Sequence, residues 1–134
     1  MMIKIAITDD HMFFRKGLVM ALKRKEDFEV VIEAENGQDL LNQIDGIYPD
    51  VILMDIRMPV MDGIKATKLI IDEYPDIRIV ALTLFKERDY VEDMLKAGAK
   101  GFLFKNADEK VIEEAVRKVY NKGFYFSENV VNVL

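Results

Sequence analysis

The chain predicts an α/β fold, a (βα)5 doubly wound parallel sheet of five strands with helices on both faces. Two observations carry that expectation. Short runs rich in aliphatic and β-branched residues alternate with longer stretches whose apolar residues recur at helical spacing. The aliphatic runs also end on chemistry: Asp9 and Asp10 follow Ile3 to Ile7, Asp55 follows Val51 to Met54, Thr83 follows Ile79 to Leu82, and Lys105 follows Phe102 to Phe104. In an open parallel sheet, the C-terminal strand edge is where ligands bind.

The elements follow in order. Strands are expected at about 3–8, 28–34, 51–55, 77–83 and 101–104. Between and after them, apolar residues share one helical face in five sets: Phe14, Leu18, Ala21 and Leu22; Leu40, Leu41 and Ile44; Ile64, Thr67, Ile70 and Ile71; Val91, Met94 and Leu95; and Val111, Ile112, Ala115, Val116 and Val119. Asn36-Gly37, Pro49-Asp50, Met58-Pro59, Pro75-Asp76 and Asn106-Ala107-Asp108 supply turn and cap chemistry at the boundaries. Right-handed crossovers then cover both faces of the sheet. The third run is apolar throughout from Val51 to Met54, as a central strand buried on both faces requires. Residues Gly123 to Leu134 are apolar for a free tail, and they read as the start of a connection more than as part of the domain.

Bulk properties exclude several functions. With 134 residues and 51% hydrophobic content, the chain fits one domain. A net charge of −5 disfavours a general nucleic-acid surface. Without cysteine there is no disulfide framework and no thiolate metal site. No apolar run spans a bilayer, and the N-terminus lacks a secretory pattern, so a soluble, cytoplasmic protein is expected.

Three carboxylates gathered at one sheet edge repel one another by roughly 4 kcal/mol per pair at about 4 Å and an effective dielectric near 20. Such a cluster calls for a cation. Magnesium takes hard oxygen ligands and keeps several waters, so Asp10 and Asp55 suffice as protein carboxylates for it. An aspartate can attack a phosphoryl group and hold it as an acyl phosphate, and Asp55 is the candidate. Lys105 and the Thr83 hydroxyl suit the stabilisation of charge on the transferred group. Taken singly, each signal has a plainer explanation: Asp9-Asp10 as a helix cap, Asp55 as a turn residue, His11 as a solvated or capping histidine. Lys23-Arg24-Lys25 reads as a solvated helix end, and Gly37, Gly63 and Gly101 as turns or close backbone approaches. The functional reading rests on all four strand ends meeting at one edge.

The motifs Thr8-Asp9-Asp10-His11, Leu53 to Gly63, Ala81-Leu82-Thr83 and Gly101 to Lys105 together resemble the receiver domain of two-component response regulators, from about Ile3 to Tyr120. Asp55-Ile56-Arg57-Met58-Pro59 and the segment Asn121 to Ser127 resemble the NarL/FixJ (LuxR-like) type. The resemblance implies the flavodoxin-like strand order 2-1-3-4-5. It implies a receiver over residues 1–121 and a tail or linker over 122–134; members of this type normally carry a C-terminal DNA-binding domain, so the chain is expected to be either a fragment that lacks it or a stand-alone relative. It implies that Asp55 accepts phosphate from a histidine kinase or phosphotransfer protein, with Mg2+ held by Asp10, Asp55 and the Arg57 backbone carbonyl, and Asp9 just behind. Lys105 then contacts the phosphoryl group, Thr83 moves toward it, and Phe102 repacks as the switch aromatic, remodelling a surface that forms homodimers. Met58 and Met61 flank the loop where a kinase would meet it. Leu84 follows Thr83 where receivers usually carry something small, which alters access to Asp55 or phosphoryl lifetime. Asn106 replaces the frequent proline after Lys105, so a trans bond is expected there.

Two rivals share the architecture. An aspartate-nucleophile phosphohydrolase is disfavoured because the first strand ends Asp-Asp-His, without the nucleophile-x-acid spacing, and because no cap insertion is present. A phosphorylation-independent interaction module of the same fold is disfavoured because every site position is filled.

Overall fold

All five expected strands form where the aliphatic runs lie. The computed structural model describes residues 1–126, apart from the side chain of Phe85. Strands β1 (Ile3–Thr8), β2 (Phe28–Ala34), β3 (Val51–Asp55), β4 (Arg78–Thr83) and β5 (Gly101–Phe104) alternate with helices α1 (Met12–Lys23), α2 (Gly37–Ile44), α3 (Gly63–Glu73), α4 (Val91–Ala97) and α5 (Glu109–Lys122). A 3₁₀ turn over Phe85–Tyr90 leads into α4. Every strand pair is parallel, and the order is 2-1-3-4-5 with a sixth strand, β6 (Tyr125–Phe126), added beside β5.

Strand pleating sorts the core into two layers. Ala6, Ile52, Met54, Ile79, Ala81 and Phe102 face α2, α3 and α4, where Leu40, Ile44, Ala66, Ile70 and Met94 meet them. Ile5, Ile7, Val51, Leu53, Val80, Leu82 and Leu103 face α1 and α5, against Leu18, Leu22, Ile112, Val116 and Val119. Every residue of β3 is buried, as expected of the middle strand. Asn36 and Asp62 cap α2 and α3, their side-chain oxygens accepting the Asp39 and Lys65 N–H at 2.8 and 2.9 Å.

The sixth strand adds to the five expected. Gly123 takes the left-handed conformation (φ 93°) that ends α5, and its N–H donates to the Val119 carbonyl at 3.0 Å. The chain then turns so that the Tyr125 N–H reaches the Lys100 carbonyl at 2.9 Å, and Gly101 pairs with Tyr125. Tyr125 is buried against the α5 layer, which explains part of the apolar character of this segment. Two residues are too few for a period-2 pattern to announce a strand. Of the tail or linker expected over 122–134, residues 127–134 lie outside the described residues.

Three smaller expectations change. Neither Asp9 nor Asp10 caps α1: His11 occupies the cap position without a side-chain hydrogen bond, and Asp9 Oδ1 instead accepts the His11 N–H at 2.8 Å. Met58 is buried in the α2–α4 layer, so of the two loop methionines only the half-buried Met61 reaches the surface. Arg24 and Lys25 are not simply solvated, since they pair with Glu109 and Glu113 at 2.8 and 3.1 Å and tie α1 to α5. The Lys105–Asn106 bond is trans, as expected. Among the described residues, no helix is long and apolar enough to cross a membrane.

Candidate functional site

The adjacency of β1, β3, β4 and β5 brings their C-terminal ends together. Asp9 follows β1 and is wholly buried, its N–H donating to the Ala34 carbonyl at 3.0 Å. Arg15, one turn into α1, donates from Nη1 to the Asp9 carbonyl at 2.6 Å and from Nε to Glu33 Oε1 at 2.9 Å, which fixes the acidic turn against β2. Asp10 stays exposed at the rim. Asp55 is the last residue of β3. The Lys105 N–H donates to the Thr83 carbonyl at 2.8 Å, so the β4–β5 ladder continues one step and sets the lysine beside Thr83.

The side chains converge on a buried ammonium. Lys105 Nζ lies 2.7 Å from Asp9 Oδ2, 3.2 Å from Asp55 Oδ2 and 2.9 Å from His11 Nδ1, with the Phe14 ring centroid at 5.1 Å. His11 Nδ1 is also 3.0 Å from Asp9 Oδ1, 3.6 Å from Asp10 Oδ1 and 3.8 Å from Asp55 Oδ2. Burial pushes the Asp55 carboxyl up to about 8, reinforced by the negative charge of Asp9 and opposed by Lys105.

The donor set fits a divalent cation. Asp9, Asp10, His11 and Asp55 each offer one ligand atom, all within 4.8 Å of one another. Asp9 Oδ2 and Asp55 Oδ2 are buried without an aligned hydrogen-bond donor, so the ammonium answers their charge but not their lone-pair geometry. Asp55 keeps its proton up to about 8 without metal, so a hard cation that displaces that proton gains a further anionic oxygen ligand.

One expectation fails in part. Asp55 is only 1% exposed, whereas a phosphoacceptor needs a reachable oxygen. Lys105 and His11 lie over Oδ2, and beyond them His11, Phe14, Leu84, Lys105 and Asn106 line an apolar cavity of about 420 Å³. Leu84 lines this cavity beside His11 and Lys105.

Thr83 is buried, and its hydroxyl donates to the Leu84 carbonyl at 3.1 Å. Phe102 is buried in the α2–α4 layer, edge-on to Phe104 at 5.4 Å between ring centroids. Arg57 projects from the exposed loop after β3 with its guanidinium 4.7 Å over the Tyr90 ring, bridging that loop to the turn before α4.

Three contributors were not legible as site residues in the sequence. His11 read as capping or solvated, yet its ring sits among the acids. Arg15 left only a weak signal, one helical turn beyond His11. Gly63 read as a turn or close-approach glycine and not as a site residue; the close approach is to the site itself, since a Cβ there would lie 2.1 Å from the Asp55 carbonyl oxygen, and its N–H closes the loop on the Ile56 carbonyl at 2.8 Å. In the same loop, exposed Val60 takes a left-handed φ of 68°, strained for a β-branched residue.

Comparison with known proteins identifies the family. Residues 5–117 match the response regulator receiver domain family. The transcriptional regulatory protein DegU of Brevibacillus brevis is 39% identical over 132 residues, covering 98% of this chain and 56% of its own length. The chain spans about half the length of such curated relatives. Among solved structures, the signal receiver domain of the response regulator NarL from Mycobacterium tuberculosis superposes with a TM-score of 0.82 at 34% identity, covering 90% of this chain and 97% of that one. The isolated receiver domain of RcsB from Salmonella enterica serovar Typhimurium, solved with the phosphomimetic BeF3−, gives 0.87 at 25% identity, covering 100% and 99%. With its strand order, its acidic edge and these matches taken together, the chain belongs to the receiver-domain family of two-component response regulators, of the NarL/DegU/LuxR type.

Proposed function

We propose that the chain is a phosphorylation switch, in which Asp55 attacks the phosphoryl group of a histidine kinase or phosphotransfer protein and holds it as an acyl phosphate. One observation supports this above the others: an aspartate at the end of the central strand lies buried beside a buried acid and a buried lysine, with a second acid exposed at the rim. Asp10, Asp55 and the Arg57 carbonyl would hold Mg2+, with Asp9 behind them. The ion would supply charge neutralisation at the phosphoryl oxygens. Asp9 keeps Lys105 at the site, and the ammonium is placed to answer charge on the transferred group. The Thr83 hydroxyl, bonded now to its neighbour's carbonyl, would rotate toward that group, and Phe102, buried on the neighbouring strand, would repack in response. Repacking there would reach the β5 and α4 surface and favour a homodimer. In the full-length protein this would control transcription through a DNA-binding domain beyond residue 134, in the cytoplasm and without membrane contact. Such a domain signals and turns over only its own phosphate, so it is not an enzyme in the ordinary sense.

The burial of Asp55 favours a second reading, an interaction module that does not use phosphate. Incubation with a small acyl or amido phosphodonor and Mg2+, followed by intact-mass measurement, separates the two. A phosphate-sized gain in the wild type, absent from Asp55→Asn, supports the switch; a folded, metal-binding wild type without that gain supports the module.

A further inference from the structure

The imidazole of His11 is oriented for a task that an oxygen-only magnesium site does not need. Lys105 has three N–H donors and no acceptor, so in the tautomer that makes the 2.9 Å contact a hydrogen bond Nδ1 presents its lone pair. That lone pair therefore points into the acidic cluster. The same nitrogen sits 3.0 Å from Asp9 Oδ1, lone pair against lone pair in this tautomer, an opposition that a cation would relieve. The ammonium stands in for such a cation, touching Asp9, Asp55 and His11 together.

The distances suit direct coordination. Two ligands on one ion at bonds of about 2.1 Å lie no more than roughly 4.2 Å apart. Nδ1 is 3.6 Å from Asp10 Oδ1 and 3.8 Å from Asp55 Oδ2, inside that limit. Asp55 Oδ2 and Asp9 Oδ2 are, with Thr8 Oγ1, buried oxygens without an aligned hydrogen-bond partner among the described residues. Imidazole suits zinc and other first-row transition ions, whereas magnesium prefers oxygen throughout.

We propose that His11 is a nitrogen ligand of the cation site, and that it makes this receiver prefer first-row transition divalent ions such as Zn2+ or Co2+ over Mg2+. The inference rests on the cation-binding part of the reading above and adds to it the identity of the ion. The chain has one histidine and no cysteine, so any nitrogen-dependent metal signal reports on this residue.

The test is calorimetric titration of the tag-free chain with ZnCl2, CoCl2 and MgCl2 separately, together with Co2+ absorption spectra, for the wild type, His11→Gln and His11→Asn. Circular dichroism checks the fold of each variant, and the His11 side chain they replace is half exposed. Zn2+ and Co2+ should bind the wild type more tightly than Mg2+. Both variants should weaken the transition ions roughly 10-fold or more, with Mg2+ changed less than about twofold, and should lose the nitrogen contribution to the Co2+ spectrum. Unchanged Zn2+ and Co2+ binding in the folded variants, with Mg2+ still bound, overturns the role of His11 and leaves the magnesium reading standing. His11-dependent Zn2+ binding without Mg2+ binding supports this inference and removes magnesium from the proposal above. Binding of none of the three ions overturns both.

Discussion

Asp55→Asn should stabilise the metal-free protein at neutral pH, and the gain should vanish in acid. An unfolded aspartate loses its proton near 3.8, while burial and Asp9 make the folded chain keep the Asp55 proton up to about 8. Between those values the folded state binds more protons than the unfolded one, so stability falls as pH rises, by at most ~1.4 kcal/mol per pH unit. At pH 7 the accumulated penalty approaches roughly 4 kcal/mol. Asparagine carries no such penalty. Lys105 loses one of its two carboxylate contacts in exchange, keeping Asp9 at 2.7 Å, so the net gain should be about 2–4 kcal/mol. Urea unfolding followed by circular dichroism in chelator, from pH 4 to pH 8, measures it. The wild-type and variant curves should meet near pH 4 and separate steadily above it. Equal stabilities at pH 7, or a variant less stable than the wild type, would refute the electrostatic account of the cluster.

Gly63→Ala should destabilise by about 1–3 kcal/mol in urea unfolding, because the new methyl meets the Asp55 carbonyl at 2.1 Å and the loop must shift. The same shift should slow phosphoryl uptake in the mass assay, and normal uptake would show that the loop tolerates movement. Lys105→Ala should keep the fold and still accept phosphate, yet fail to dimerise afterwards on size-exclusion chromatography. Normal dimerisation of the phosphorylated variant would remove Lys105 from the relay.

The fold was legible because its signals are local. Val51 to Met54 is apolar on both faces, and only the middle of a parallel sheet offers that burial. The spacing of Leu18 and Leu22, or of Ile112, Val116 and Val119, points each helix at the sheet whatever its partner. Tyr125–Phe126 was not legible, since its strand exists only because β5 leaves an open edge at the place where Gly123 returns the chain. The site divides in the same way. Asp9, Asp10, Asp55, Thr83 and Lys105 announce themselves by ending aliphatic runs, which is a property of the chain.

What the sequence determined by itself was therefore which residues stand at the strand ends, because hydrophobic periodicity sets where each strand stops. Tertiary structure alone decided how those ends interact. Lys105 and Asp9 are far apart in sequence, and only strand adjacency brings Nζ to 2.7 Å from the carboxylate, buries Asp55 beneath it, and sets the ammonium 2.9 Å from His11 Nδ1. Burial and charge coupling depend on distances through space, and a linear pattern of residues does not contain them.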